Sequence, residues 1–199
     1  MIVAEAFYLA GPVVLAGVVH SVVIKWDVAP WLAQPLDGGW GFRGRPALGP
    51  NKTWRGVIVM CAACTFGVVV QMALYRLPAF RSLSALDYSA AASLTLGVAL
   101  GLGYSIGELP NSFVKRRLGI APGDRAMSSR LQYVADQGDS VVGATVALAF
   151  FVDSAALLAV VACLGFGLHV VMDQALYAAG VKRRSMTPRS LTLARQEPT

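Results

Sequence analysis

The sequence predicts an all-α integral membrane protein of five transmembrane helices, with the N-terminus outside and the C-terminus in the cytoplasm. Three observations predict it. First, 56% of the 199 residues are hydrophobic and only 14% are charged, with a mean hydropathy of +0.58. Soluble domains carry about 25% charged residues, because a chain folding in water must cover itself with polar groups. Second, five stretches approach the ~20 apolar residues that a helix needs to cross a bilayer. Third, the basic residues fall almost entirely in alternate loops. The same numbers exclude an ordinary cytoplasmic enzyme and a disordered chain, and three Cys exclude a disulfide scaffold.

The first span, 2–24, carries Glu5 near its start instead of a basic leader and is too long for the apolar core of a secretory signal; it is read as a retained helix. Spans two and three, 57–75 and 88–106, are continuous apolar runs. Span three contains Gly97-x-x-x-Gly101 and Gly103-x-x-x-Gly107, a spacing that lets helices pack closely in a membrane. Span four, 134–152, is cleanly apolar only from Val141, since its first turns hold Asp136 and Asp139. It joins span five, 154–181, through Asp153 and Ser154, which predicts a tight helical hairpin. Residues 1–181 thus form one membrane domain. The remaining 182–199 are basic, rich in Ser, Thr and Pro, and lack apolar periodicity, the composition of a disordered tail.

Charge sets the orientation, because basic residues accumulate in cytoplasmic loops. Of the 17 Lys and Arg, only Arg76 and Arg81 lie between spans two and three. Lys25, Arg43, Arg45, Lys52 and Arg55 lie between spans one and two, Lys115, Arg116, Arg117, Arg125 and Arg130 between three and four, and the rest after span five. The first of these loops also holds Trp26, Trp31, Trp40 and Trp54. Trp favours the headgroup level, so this loop is expected along the membrane surface.

Several polar clusters face the cytoplasmic side. Leu48-Gly-Pro-Asn-Lys-Thr-Trp-Arg-Gly56 is not a P-loop, as neither its spacing nor a preceding strand fits. It still places Lys52, Thr53 and Arg55 at a helix start, where free N–H groups favour an anion; ordinary positive-inside anchoring is the other reading. Past span three, Glu108 is followed by Asn111, Ser112, Lys115, Arg116 and Arg117. Adjacent side chains on a helix diverge, so the three consecutive cations cannot all grip one phosphate. Asp136 and Asp139 share a helix face at a depth where charge is costly. Either Mg²⁺ or pairing with neighbouring Arg and Lys would relieve their repulsion. His169 and Asp173, one turn apart in span five, are either functional or mutually neutralising. His20, Cys61, Cys64 and Cys163 read as packing residues.

Cations and three carboxylates on one membrane face suit transfer between phosphorylated substrates, where neutralising and aligning anions is most of the catalytic task. A membrane setting makes one substrate a lipid. The competing reading is a non-enzymatic scaffold that binds anionic lipid through its basic loops. Nucleic acid is excluded as a partner because the cations are split among loops pinned at the bilayer.

The glycine-lysine-threonine motif, the Ser112-Phe-x-Lys-Arg-Arg117 run with Pro122-Gly123 after it, and Asp136-Gln-x-Asp139 resemble, in that order, the CDP-archaeol synthase family, which is related to the phosphatidate cytidylyltransferases. The resemblance implies a five-span enzyme in which a lipid-alcohol phosphate attacks the α-phosphate of CTP with Mg²⁺. It makes Glu108, Asp136 and Asp139 the catalytic and metal carboxylates. Lys52, Thr53, Arg55, Asn111, Ser112, Lys115, Arg116 and Arg117 become the substrate contacts. The chain departs from the family pattern at Glu108, where Asp is usual, at Asn111, where Lys is usual, and at His169 with Asp173, where an Asn is commoner. A CDP-alcohol phosphotransferase is disfavoured, because Asp37-Gly38 does not continue into that family's motif.

Overall fold

The computed structural model describes residues 1–122 and 130–181; Arg125 and the basic tail, 182–199, lie outside the described residues. Among the described residues six α-helices follow in order: α1 (Ile2–Lys25), α2 (Trp54–Leu74), the single turn α3 (Pro78–Arg81), α4 (Ala90–Arg117), α5 (Arg130–Leu148) and α6 (Ala155–Ala178). A two-stranded ribbon, β1 (Gly41–Phe42) and β2 (Arg45–Pro46), lies between α1 and α2. The protein is an all-α membrane protein. Among the described residues four helices, α1, α2, α4 and α6, are long and apolar enough to cross a bilayer. The α5 helix is not among them, because its first half spends its residues on Gln132, Asp136, Gln137 and Asp139.

The long helices close into a ring: α1 packs on α2, α2 on α4, α4 on α5, α5 on α6, and α6 back on α1. Glycine explains the two tightest seams. A Cβ on Gly97 or Gly101 would strike the α2 backbone at Thr65 or Cys61. On the other face of α4, a Cβ on Gly107 would lie 2.5 Å from the Asp139 carbonyl oxygen, and Gly143 of α5 fits against Gly103 and Gly107. The close packing expected of these glycines is therefore present, with each pair serving a different neighbour. In α1, Pro12 supplies no N–H to the Tyr8 carbonyl; Gln71 of α2 donates to that oxygen instead. The predicted hairpin between the last two long helices is also present, with Ser154 capping α6 by accepting from the Leu157 N–H.

Two features differ from the sequence reading. The helix of span three does not stop with its apolar run but continues through Pro110 to Arg117, a length of about 42 Å at 1.5 Å per residue. It therefore projects past a hydrocarbon core of about 30 Å. Cys163, expected to be buried, is exposed on the outside of the ring, whereas Cys64 is buried as expected.

The loop between α1 and α2 folds back over this projecting end. Arg43 and Gly44 both adopt positive φ, 52° and 74°, as a tight two-residue hairpin requires. The Asp37 carboxylate accepts from the backbone N–H groups of Gly39, Leu48 and Gly49 at 2.8–3.1 Å. Burial pushes the Asp37 carboxyl upward, but these donors outweigh it and hold the group below its ordinary value. Arg45 donates to the final carbonyls of α4, Arg116 and Arg117, and Arg117 donates in return to the carbonyls of Phe42, Arg45 and Pro46. All four Trp are exposed.

Two outcomes are expected. Gly101→Ala should destabilise the detergent-solubilised protein by about 1–3 kcal/mol, the usual cost of overpacking, while Gly167→Ala, with nothing within 4 Å, should leave the melting temperature unchanged. Because the folded Asp37 carboxyl is depressed, its contribution to the loop is complete above about pH 3.9 and is lost as pH falls through the folded value. Limited proteolysis of the 37–49 loop should therefore rise on acidification, and Asp37→Asn should flatten that dependence.

Candidate active site

At the end of the ring where α1, α4 and α6 finish and α2 and α5 begin lies a cavity of about 830 Å³. The loop contributes Leu48, Asn51 and Lys52 to its wall, and α4 contributes Tyr104, Glu108, Asn111, Ser112, Lys115 and Arg116. Asp136 and Asp139 come from α5, His169 and Asp173 from α6, and His20 and Lys25 from α1. The helix periods account for much of this convergence. Tyr104, Glu108, Asn111 and Lys115 recur at three or four residues along one face of α4, and Gln132, Asp136 and Asp139 do so on α5.

The two rows interlock through hydrogen bonds. Asn111 Nδ2 donates to Asp136 Oδ1 at 2.8 Å and to Asp139 Oδ2 at 2.7 Å, so one amide brings both carboxylates together. Gln132 Nε2 donates to Asn111 Oδ1 at 2.7 Å and to Asp136 Oδ1 at 2.9 Å. This fixes which end of the Asn111 amide faces the acids, because the end accepting from Gln132 must be the oxygen. Lys115 pairs with Asp136 Oδ2 at 2.9 Å, both side chains being largely buried. Asp139 Oδ1 accepts from the Ser140 N–H at 2.6 Å. Across the cavity, Lys52 pairs with Glu108.

The structure thus places Lys52, Glu108, Asn111, Ser112, Lys115, Arg116, Asp136 and Asp139 around one space. Thr53, Arg55 and Arg117, which the sequence places at the substrate, are not on its wall. Thr53 caps α2 by accepting from the Gly56 N–H, Arg55 pairs with Asp27 and reaches the Val28 carbonyl, and Arg117 is consumed by the ribbon and by stacking on Phe42 and Phe113. The divergence of Lys115, Arg116 and Arg117 is as expected: the first two reach the cavity and the third does not. Gly49, at φ 95°, lets the loop pass within reach of the Arg116 guanidinium, where a Cβ would lie 3.6 Å from it.

The sequence reading missed Gln132 and Tyr104. Each lies one turn before a recognised carboxylate, Asp136 and Glu108, and that spacing is the signal that could have found them. His20, read as a packing residue, stands on the cavity wall. His169 Nδ1 lies 3.0 Å from the Gln137 carbonyl and its Nε2 3.4 Å from the Tyr104 hydroxyl.

Among the described residues no three His, Cys, Asp or Glu side chains gather as a metal cluster. The Asp pair is nonetheless suited to a hard divalent cation. Its oxygens converge on one amide, and Mg²⁺ is commonly held by one or two carboxylates together with substrate phosphates.

The chain is similar to known proteins. A family model described as CarS-like, CDP-archaeol synthase, matches residues 13–185. A CDP-archaeol synthase of Halorubrum lacusprofundi is 38% identical over 154 residues, covering 75% of this chain and 82% of the relative. One from Halobacterium salinarum is 35% identical over 157 residues, covering 75% and 81%. A third, from Thermofilum pendens, is 30% identical over 156 residues, covering 76% and 66%. No solved structure matches the chain. The family match runs from the middle of α1 past the end of α6 and takes in every residue of the cavity wall, and the chain belongs to the CDP-archaeol synthase family.

Proposed function

We propose that the protein is a CTP-dependent cytidylyltransferase that converts a membrane lipid-alcohol phosphate to a CDP-lipid and pyrophosphate. The observation that carries the reading, beside family membership, is one cavity in which paired carboxylates face cations and which meets an apolar interior. A second cavity of about 70 Å³, lined by residues such as Leu9, Val13, Leu100, Leu148 and Val161, adjoins it. A space of that size admits only the start of a hydrocarbon chain, and a substrate with a charged head followed by an apolar body fits that sequence of environments.

In the reaction, an oxygen of the lipid phosphate attacks the α-phosphorus of CTP. The new P–O bond forms as the α–β bridging bond breaks, and pyrophosphate carries away the electron pair. Two anions must meet, so catalysis is chiefly neutralisation and alignment. Lys52 and Lys115, now paired with Glu108 and Asp136, are placed to exchange those partners for phosphate oxygens. Arg116 offers a planar fork for bidentate phosphate contact. Asn111 and Ser112 contribute neutral hydrogen bonds. Asp136 and Asp139 would hold Mg²⁺, which when bound supplies positive charge to the phosphates.

The same reading gives five spans. The outer face of α5 is apolar, with Leu131, Val134, Val142 and Val146 exposed, while Gln132, Gln137 and Ser140 are buried. Its polarity is turned into the ring, away from lipid. With α5 crossing, the termini lie on opposite sides. The positive-inside bias then places the cavity, the C-terminus and the exposed Trp loop at the cytoplasmic face.

Purified protein supplied with CTP, Mg²⁺ and a lipid phosphate should release pyrophosphate. Asp139→Asn should lower turnover about a hundredfold or more, since even outer-shell substitutions at metal sites cost 10–100-fold, while still inserting and folding. Unchanged turnover in that variant would remove Asp139 from the reaction. A reporter fused to the C-terminus should be active only in the cytoplasm, and periplasmic or extracellular activity would overturn the five-span orientation.

A further inference from the structure

The polar cavity and the apolar cavity meet at four shared residues, Gly17, Tyr104, His169 and Met172. Gly17 and Met172 bring no strong hydrogen-bonding side chain to this junction, so Tyr104 and His169 supply its polarity. Their geometry is defined. A carbonyl oxygen only accepts, so His169 Nδ1, 3.0 Å from the Gln137 carbonyl, carries the proton. In the neutral ring Nε2 is then an acceptor, and it faces the Tyr104 hydroxyl at 3.4 Å with the two rings edge to face at 84°. A separation of 3.4 Å is long for a hydrogen bond from a hydroxyl, which prefers about 2.7–2.8 Å. A better-placed acceptor can therefore take the Tyr104 proton.

A lipid phosphate whose head lies among Lys52, Lys115 and Arg116, and whose chains begin at the apolar cavity, carries between them only the oxygens that join its chains to glycerol. Ether and ester oxygens accept and do not donate. At the junction they meet one side-chain hydroxyl, Tyr104, which faces the His169 acceptor and also lies within hydrogen-bond reach of the Ser140 side chain.

We propose that Tyr104 donates a hydrogen bond to a chain-bearing glycerol oxygen of the lipid phosphate, making it a specificity-determining residue, and that His169 positions its hydroxyl. The inference rests on the lipid-phosphate reading above and adds which part of the lipid is recognised. It gives Tyr104 a role that neither the phosphates nor the metal carboxylates require. It also predicts that the glycerol oxygens, and not chain length alone, distinguish substrates.

The test compares a glycerol-based dialkyl ether phosphate with a long-chain alkyl phosphate that has no glycerol oxygens, using full-length protein in detergent. Tyr104→Phe keeps the ring and removes the donor. It should raise KM for the ether lipid about three- to tenfold, the range expected for one neutral hydrogen bond, without changing KM for CTP or KM for the alkyl phosphate. His169→Ala should do the same, and His169→Asn, which restores an acceptor, should recover part of the loss. An unchanged ether-lipid KM, or an equal rise with the alkyl phosphate or CTP, would overturn the proposal. Thermal stabilisation by the ether lipid phosphate alone is measured in parallel. A stabilisation that depends on Tyr104 in a protein that releases no pyrophosphate would refute the catalytic reading and support this one. A turning-over enzyme whose lipid KM ignores Tyr104 would do the reverse.

Discussion

The contact on which the site depends contains no functional group. Gly103 and Gly107 of α4 meet Gly143 of α5 so closely that a methyl on any of them would enter the neighbouring backbone. Between membrane helices there is little hydrophobic drive, and association comes from close packing and buried polar bonds. Here the two are coupled. The glycine seam brings Asp139 beside the turn of α4 that carries Glu108 and Asn111, and only at that spacing can one amide reach the carboxylates of both Asp136 and Asp139. The polar network in turn fixes the rotation of α5, because turning its acids outward would part both from Asn111 and Asp136 from Lys115.

The cavity is also balanced in charge. Lys25, Lys52, Lys115 and Arg116 on its wall face as many carboxylates, Glu108, Asp136, Asp139 and Asp173. Burying such groups singly would be costly, and pairing offsets that cost. Pairing of this kind leaves the cations available, since a phosphate oxygen can take the place of a carboxylate oxygen at Lys52 or Lys115 with little change in local charge. The ribbon contributes at a distance. By trading hydrogen bonds between Arg45 and Arg117 it ties the loop to the last turn of α4, and the Asp37 turn then holds Leu48 and Gly49 close to Lys52.

Much of this was legible in the sequence for reasons that also mark its limits. Hydropathy located the apolar runs and the glycine spacing located their seams, because both signals are local and periodic. The carboxylate pair at Asp136 and Asp139 stood out as charge at membrane depth. What hydropathy does not read is where a helix ends once it has left the lipid, so the apolar run stops at Ile106 while α4 continues through Pro110 to Arg117. Nor can local pattern assign partners across the chain. Lys52 and Glu108 are far apart in sequence, and nothing nearby distinguishes the Arg that stabilises the loop, Arg117, from its neighbour Arg116 on the cavity wall. Gln132 was passed over because an amide before a span is unremarkable until the acid one turn later is known to face inward.

The two aspartates are not equivalent, and their difference follows from what surrounds each. Asp136 is already compensated: Lys115 pairs with one oxygen, and Gln132 and Asn111 donate to the other. Asp139 receives only neutral donors, Asn111 and the Ser140 N–H, and among the described residues it joins no salt bridge. A carboxylate held in place by dipoles but not neutralised by a cation retains the larger unmet demand for positive charge. On the proposed reaction, the first positive charge to enter the cavity with a substrate would be drawn toward Asp139. Asp136, with Lys115 beside it, would join only as that lysine turned to the incoming phosphates. Arrival of the nucleotide and completion of the charge balance would then be one event, since the lysine leaving Asp136 is the one the phosphates need.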